Sequence, residues 1–412
     1  MGGAISNAAE STPVSVPVRY HYLDWLRVLA MLSIFFYHSD RFFNYGGWHV
    51  KSAVTNLVST IHIKFFGLWI MPLFFIISGA SVYYALKSRR AGGFIKERAT
   101  RILIPLVLMG IFVLAPPQIF LERYTNGQFT GSFFQFYPHF FDGVYPFGGN
   151  FAFHGMHLWY LMDLFVFSMI LLPFFYPSKK SGHSILSRLS KIFANPFGLF
   201  LLFVPLSAAA LWADKMGMGI TRMMGGWDML SYVVFFVCGY LIFANRQIQD
   251  LIVRLCPAYL TAALVLTVTY LYLLLGVELP KTGPVWLGMT VVRSLIAWCW
   301  IVSIIGFGRR FLNFDNSFLK YANEAVLPFY MLHQTIILIA GFFILQISIA
   351  TAGQFVIIAS ISFVAIMAIY ELLIRRINIL RFLFGMRSKK AGMKQRKSEA
   401  SAIRQIPQSN QA

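Results

Sequence analysis

The chain has 412 residues, of which 58% are hydrophobic, 17% are aromatic and only 12% are charged. A soluble protein carries about twice that charged fraction, so the composition excludes a soluble enzyme and predicts an all-α, polytopic membrane protein. The formal net charge of +20 does not indicate a nucleic-acid partner, because the basic residues cluster in short loops and in the C-terminal tail.

Ten apolar segments are long enough to cross about 30 Å of hydrocarbon, and they predict a bundle of about ten transmembrane helices. Pro205 interrupts the fifth segment, and the third ends in Pro116-Pro117. The approximate ranges are 22–40, 62–86, 101–121, 157–176, 197–213, 227–244, 257–275, 285–307, 325–347 and 353–374.

The distribution of lysine and arginine predicts that both termini are cytoplasmic. In that orientation the inner side holds 26 basic residues and the outer side holds 7, and the bias recurs at every inner loop. The chain then divides into a polar N-terminal segment at 1–20, a membrane domain at 21–376 and a basic tail at 377–412. We expect the tail to be disordered and to lie on the anionic inner leaflet of the bilayer.

The first helix carries two ionisable residues, Arg27 and His38. Eleven residues correspond to roughly three helical turns, so both side chains are predicted on one face, roughly 16 Å apart. Because ionisable groups are costly in hydrocarbon, the pair predicts a polar site inside the bundle. The alternative is that Arg27 reaches the headgroups and His38 only caps the far end of the helix.

Two further arginines, Arg98 and Arg101, are spaced i, i+3 at the inner mouth of the third helix. Arginines on one helical face can bind a phosphate group bidentately. The alternative is ordinary anchoring of the helix at the cytoplasmic surface.

The ninth helix contains His333 and Gln334 about midway through the hydrocarbon. These side chains can hold a buried hydrogen-bond network, and a purely structural interhelical bond is equally open. We expect Pro328 to open this helix, since a missing N–H costs little in the first turn.

The outer start of the fourth helix contains His157, Trp159 and Tyr160. Trp159 and Tyr160 are typical of an interfacial anchor, and His157 can face water or the site. The small residues Ser78-Gly79-Ala80-Ser81 of the second helix predict a close helix crossing, with Ser78 a candidate to face the site.

Buried charge and thiols complete the set of candidates. Arg293, one or two turns inside the outer end of the eighth helix, is a buried charge that needs a partner, and Asp163 of the fourth helix is a candidate. The three cysteines, Cys238, Cys256 and Cys299, lie in or beside apolar segments and are expected to be inert packing thiols. No cysteine–histidine spacing resembles a zinc site, so no metal is expected.

The outer connection between the third and fourth helices, residues 118–156, is rich in aromatic side chains. We expect it to lie in the membrane interface or to fold back on the bundle. Aromatic rings with scattered Asn, Gln and His side chains can also form a platform for a sugar or another ring-shaped acceptor.

Five motifs occur in the order, and on the helices, in which acyltransferase family 3 has them. The chain resembles this family over about residues 20–375, and most of all its branch related to glucan biosynthesis protein C. The motifs are Arg-x10-His (27–38), Phe-Phe-Ile-Ile-Ser-Gly (74–79), Arg-x2-Arg (98–101), His-Leu-Trp-Tyr-Leu (157–161) and Tyr-Met-Leu-His-Gln (330–334).

The resemblance implies a bacterial inner-membrane O-acyltransferase. Such an enzyme moves an acyl group from cytoplasmic acyl-CoA, its co-substrate, to a hydroxyl at the outer face, usually on a glycan, and it holds no bound cofactor. His38 stands at the family's catalytic histidine position, and Arg27, Arg98 and Arg101 stand at arginine positions that serve the donor. The candidate supporting residues are Tyr37, Ser78, His157, Trp159, Tyr330 and His333.

Two mechanisms and one rival function are open at this point. A neutral His38 can accept the proton of the attacking hydroxyl, or it can itself be acylated. Tyr37, His333 or a backbone N–H are candidate oxyanion donors. The rival is a transporter or exporter without chemistry, in which His38, Arg27 and His333 line a substrate or proton path, although the sequence has no internal repeat of the kind that many transporters show.

Overall fold

The fold is all-α, as the sequence predicts. The structure, a computed structural model, describes residues 20–178, 185–217, 225–280 and 282–387. Apart from one isolated bridge between Val144 and Phe151, no strand occurs in these described residues. The predicted N-terminal segment up to residue 19, and the predicted tail from residue 388, lie outside the described residues.

Each of the ten predicted segments corresponds to a helix, and the labels α1 to α10 follow that order. The bounds are α1 His21–Asp40, α2 Leu57–Ser88, α3 Ala91–Thr125, α4 Trp159–Ile170, α5 Pro196–Lys215, α6 Met229–Ala244, α7 Arg246–Gly276, α8 Gly283–Phe311, α9 Ser317–Ile344 and α10 Thr351–Ile374. Within the part of the chain that the structure describes, seven helices are long and apolar enough to cross a membrane: α2, α3, α5, α7, α8, α9 and α10. Helices α4 and α6 are shorter apolar helices, and α1, with 20 residues, belongs to neither group.

Short helical segments connect these helices. The α-helical ones are Phe133–Phe136, Leu172–Ser178, Ile185–Ile192 and Asn378–Leu383, and the 3-10 turns are Tyr137–Phe141, Tyr145–Phe147 and Met156–Leu158.

Helix α1 lies among four other helices of the bundle, in contact with α2, α8, α9 and α10. Its residues Leu26, Met31 and Ile34 are buried in the main apolar core. A polar side chain on the same helix can therefore reach the interior rather than the lipid. The predicted polar site of Arg27 and His38 inside the bundle requires this position.

Three prolines test the predicted helix ends. Helix α5 breaks at Leu202, because Pro205 lacks the N–H that would bond to the Leu201 carbonyl. Helix α3 does not end at Pro116-Pro117. It continues to Thr125, since these prolines occupy the first turn of an α-helical segment that follows π-helical turns.

The predicted start of the ninth helix at Pro328 is wrong. Helix α9 begins at Ser317, because the Asn316 side chain accepts a hydrogen bond of 2.7 Å from the Leu319 N–H and caps the helix there. Pro328 therefore lies inside the helix, where membrane helices tolerate proline.

The small residues of α2 make the close crossing that was predicted, and the partner is α6. A Cβ atom added at Gly79 would lie 2.0 Å from the Phe236 carbonyl oxygen, and one added at Gly239 would lie 2.1 Å from the Ile76 carbonyl oxygen. Two backbones can approach this closely only where both helices lack a side chain.

The aromatic outer connection folds back on the bundle. Phe136, Phe140 and Met156 form a second apolar core with Ile111 and Ile119 of α3. This packing holds the connection against the outer half of α3, so that its polar residues have fixed positions.

Replacing Gly79 by alanine should destabilise the protein, by about 2 kcal/mol or more, because the methyl group would collide with the α6 backbone. Gly67 is the matched control: it lies on the same helix, and a Cβ there meets nothing within 4 Å. Thermal melting of the two purified variants in one detergent measures the difference. Equal melting temperatures for Gly79→Ala and Gly67→Ala would contradict the crossing.

Candidate active site

Two imidazoles from different helices form the centre of the site. Nδ1 of His38 on α1 lies 2.9 Å from Nε2 of His333 on α9, and the rings stack at a centroid distance of 5.0 Å and an interplanar angle of 11°. His333 is completely buried, whereas His38 is partly exposed. The structure therefore brings together two histidines that lie 295 positions apart in the sequence.

The hydrogen bonds of this pair determine which nitrogens carry protons. Nδ1 of His333 lies 2.5 Å from the Tyr330 carbonyl oxygen, which can only accept, so Nδ1 donates. In the neutral ring Nε2 of His333 then accepts from the Nδ1–H of His38. The remaining nitrogen of His38, Nε2, consequently carries a lone pair, as a general base or a nucleophile requires.

His157 is a third imidazole beside this pair. Its ring meets the His333 ring edge to face at 4.9 Å, and its Nε2–H donates to the Met331 carbonyl at 3.1 Å. The Tyr330 hydroxyl donates to the His157 carbonyl at 2.6 Å. His157 therefore faces the site rather than water, and it links α9 to the start of α4.

Gln118 completes the network, although it was not among the predicted site residues. Its amide nitrogen lies 3.2 Å from Nδ1 of His157 and 2.9 Å from the Thr335 hydroxyl, and its amide oxygen accepts from Gln334 at 2.9 Å. The signal was available, since a glutamine in an apolar helix needs a buried partner. The network predicted around His333 and Gln334 is confirmed, and it joins α3, α4 and α9.

The interpretation of Trp159 and Tyr160 as interfacial anchors is wrong. Both are buried, because α4 packs against α2 and α6 rather than against the membrane surface. The Tyr160 hydroxyl lies 2.5 Å from the Ser78 hydroxyl, while Trp159 stacks on Tyr232. Tyr37 lies with its ring against the edge of the neighbouring His38 ring, at 5.2 Å.

A cavity of about 330 Å³ leads towards the histidines from the end of the bundle where α1 begins. Its far end is formed by Ser78, Tyr160 and Tyr330, and the Tyr330 ring stacks on His333 at 5.6 Å. His38 and His333 themselves do not line it. The walls between its two ends are apolar and include Met31, Met71, Phe74, Ile77, Leu161 and Leu164.

The predicted arginines meet at the mouth of this cavity. Arg27 donates to Asp24, Asn323 and Ser81 at 3.0–3.3 Å. Arg98 places its guanidinium 5.0 Å from the Phe94 ring, and its buried Nε makes no hydrogen bond to any residue within the described ranges. Arg101 donates to the Gly385 carbonyl at 3.0 Å. The three residues thus share one polar opening.

On its other side His38 faces the outer connection between α1 and α2. The Trp48 indole lies nearly parallel to the His38 ring, at 6.2 Å and 18°. The sequence analysis did not single out Trp48. The histidine pair therefore lies between the arginine-lined cavity and an aromatic surface at the opposite end of the bundle.

A polar cluster continues from Trp48 into the second outer connection. His49 pairs with Glu122, which also accepts a hydrogen bond of 2.8 Å from the Tyr145 hydroxyl. The neighbouring His154 is 5% exposed, and burial lowers its pKa to about 4. His154 is therefore neutral at pH 7, and the cation beside Glu122 is Arg123, whose Nη1 lies 3.8 Å from Oε1 of that carboxylate.

Arg293 is held by α6 and the turn before it. Its guanidinium donates to the Gly226 carbonyl and lies 4.0 Å above the Trp227 ring. Among the contacts between described residues, none joins Arg293 to the candidate partner Asp163. The Gly226 carbonyl and the face of the Trp227 indole both stabilise this half-buried cation.

The fold is that of an integral membrane protein in which a hydrogen-bonded pair of histidines lies beyond the far end of an arginine-lined cavity. The family model of the acyltransferase domain, family 3, matches residues 20–371, so the chain belongs to this family and is a multi-pass membrane acyltransferase. The resemblance carried by the five motifs is confirmed.

The chain is similar to several curated proteins named glucans biosynthesis protein C. It is 27% identical to that of Salmonella typhimurium over 390 residues, which cover 90% of this chain and 96% of the relative. It is 26% identical to that of Escherichia coli K12 over 379 residues, 89% of this chain and 94% of the relative. No solved structure gives a significant match.

Proposed function

We propose that this acyltransferase moves an acyl group from cytoplasmic acyl-CoA to a hydroxyl of an extracytoplasmic glycan. The enzyme would lie in the inner membrane with both termini cytoplasmic. The observation that supports this most directly is the cavity, which leads from clustered arginines to Tyr330, the residue that contacts His333 through its ring and its carbonyl. Family membership favours this chemistry over the transporter alternative.

The donor end of the site would hold the phosphates of CoA. Guanidinium groups bind phosphate oxygens through paired, charge-assisted hydrogen bonds. Arg98 has an unused buried N–H among the described contacts, and Arg27 and Arg101 lie at the same opening. The apolar walls beyond them suit the acyl group and the flexible arm of the thioester, which then extends towards Tyr330.

The acyl-transfer step needs one proton acceptor, which we assign to Nε2 of His38. The acceptor hydroxyl attacks the thioester carbonyl carbon and its proton passes to Nε2. The C–S bond then breaks, and the thiolate of CoA takes up that proton from the imidazolium. His333 would stabilise the imidazolium, because its Nε2 accepts from the Nδ1–H of His38.

The same nitrogen is the nucleophile in the alternative route through an acyl-histidine. There Nε2 attacks the thioester carbonyl carbon and the C–S bond breaks, which releases CoA as the thiolate. In a second step the acceptor hydroxyl attacks the acyl-imidazole, the bond from Nε2 to the acyl group breaks, and the hydroxyl proton passes to the thiolate. Both routes need the lone pair of Nε2 directed away from His333, so the hydrogen-bond chain serves either one.

A glycan acceptor is supported by the outer side of the site. The relatives bear the name glucans biosynthesis protein C. Sugars pack their apolar faces on aromatic rings, and Trp48 presents an indole next to His38. The His49–Glu122 pair and Tyr145 supply polar groups nearby that can fix the orientation of a hydroxyl-rich ligand.

His38→Ala should lower the rate of acyl transfer by about 10²- to 10⁴-fold, because the proton acceptor is lost. The assay is release of free CoA by the purified protein from acyl-CoA, in the presence of a glucan oligosaccharide. His139→Ala is the matched control, since His139 is an exposed histidine of the outer connection. Normal turnover in a folded His38→Ala variant would remove this mechanism.

His333→Leu should lower kcat roughly 100-fold with little change in the KM for acyl-CoA, because His333 positions the base and does not touch the donor. His333→Gln should restore part of the lost rate, since its amide oxygen can accept from the Nδ1–H of His38. A purely structural role predicts that both variants lose rate and thermal stability in parallel, which melting curves would reveal.

A further inference from the structure

The carboxylate of Glu97 bridges two arginines at the mouth of the cavity. Its Oε2 lies 2.8 Å from Nη1 of Arg89, and its Oε1 lies 3.4 Å from Nη1 of Arg101. Arg89 directly follows the last residue of α2 as its C-cap, and Arg101 is on α3, so one carboxylate connects guanidinium groups from two parts of the chain. Neither Arg89 nor Glu97 belongs to the motifs that carry the family resemblance.

The cavity carries an excess of positive charge. Its charged lining consists of four arginines and a single glutamate, a net formal charge of +3. The arginines are Arg27, Arg89, Arg98 and Arg101. A cavity of this size and charge is an attractive environment for a polyanion, since Glu97, together with Asp24 beside Arg27, neutralises only part of the excess.

A phosphate group placed where the Glu97 carboxylate lies could contact the same two guanidinium groups. A carboxylate with one oxygen on each guanidinium makes the same contacts as two oxygens of a phosphate, and a phosphate carries more charge and more acceptor oxygens. The side chains of Arg89, Glu97 and Arg101 are 35%, 24% and 42% exposed. Ion pairs this exposed contribute little to stability, so an incoming phosphate can replace the carboxylate at small cost.

We infer that Arg89 is a further phosphate-binding residue of the donor site, and that Glu97 occupies the phosphate position until the phosphates of the donor replace it. The inference rests on the proposed acyl-CoA donor, and it extends that proposal to two residues and to an exchange of ion pairs on binding. Glu97 then has a defined effect on affinity: it lowers the affinity for the donor and keeps the arginines in position while the site is empty.

The test compares CoA with pantetheine, which lacks the phosphates and the nucleotide. Isothermal titration of the purified full-length protein in detergent gives the Kd of each ligand. Arg89→Ala should weaken CoA binding about tenfold, the loss of one charge-assisted hydrogen bond, and leave pantetheine binding unchanged. Arg98→Ala should likewise weaken CoA binding and leave pantetheine binding unchanged, because Arg98 also lines the cavity.

Arg90→Ala is the matched control for Arg89→Ala. It removes an exposed arginine at the next position, which does not line the cavity. Equal CoA affinities for Arg89→Ala and Arg90→Ala would overturn the assignment of Arg89. If Arg89→Ala melts at a lower temperature than the wild type, Arg89→Lys supplies the test, since it keeps the charge and loses the forked geometry.

Glu97→Gln tests the exchange itself. The amide keeps the size of the side chain and removes its charge, so the arginines are no longer neutralised and the Kd for CoA should fall about threefold or more. Weaker binding of CoA by Glu97→Gln would show that Glu97 only positions the arginines, and would overturn the exchange.

Binding and turnover distinguish this inference from the proposed function. CoA binding with the expected variant effects, but without acyl transfer by the wild type, would remove the proposed chemistry and leave the Arg89–Glu97 site intact. Acyl transfer by the wild type, together with an unchanged CoA affinity in Arg89→Ala, would support the proposed chemistry and overturn the Arg89–Glu97 site. A wild type that does not bind CoA would overturn the donor assignment and this inference with it.

Discussion

The hydrogen bond from His38 to His333 is the interaction on which the rest of the site depends. Inside a membrane protein a polar side chain must find a partner within the protein, since the hydrocarbon offers none. The carbonyl of Tyr330 fixes the proton on one nitrogen of His333, and His333 fixes the proton on one nitrogen of His38. The remaining nitrogen of His38, which we propose as the proton acceptor, is thus oriented by a carbonyl two side chains away.

The bundle separates the two ends of the proposed site along one helix. Arg27 and His38 are both on α1, the first at the arginine-lined mouth and the second beside Trp48. The close crossing of α2 and α6 at Gly79 and Gly239 fixes α2, which contributes Ser78 and Ser81 to the same cavity. The proposed phosphate-binding end and the proposed base, separated in this way, would suit a long thioester better than a compact substrate.

Local patterns in the sequence predict much of this arrangement. Helical spacing placed Arg27 and His38 on one face, and Arg98 and Arg101 on another, and the structure brings all three arginines to one opening. Small residues predicted the close crossing at Gly79. These features depend on periodicity within one helix, and that periodicity can be read directly from the sequence.

Contacts between distant segments are harder to predict. Tyr160 pairs with Ser78 inside the bundle, although its position at a helix start is equally typical of a membrane interface. Contacts with residues of other elements define the roles that we assign to Gln118, Trp48 and Glu97. The prediction from Pro328 was wrong because the Asn316 cap starts α9 earlier. Asn316 lies in a polar loop, so it does not change the pattern of apolar residues from which the helix was predicted.

In the proposed function, the donor and the acceptor enter from opposite faces of the membrane. Proteoliposomes test this arrangement, with membrane-impermeant acyl-CoA outside and a glucan oligosaccharide enclosed within. Acylated glucan should form inside the vesicles and free CoA outside, produced by the molecules whose arginine-lined mouth faces outward. Acylation that occurs only when acyl-CoA and glucan share one compartment would contradict it.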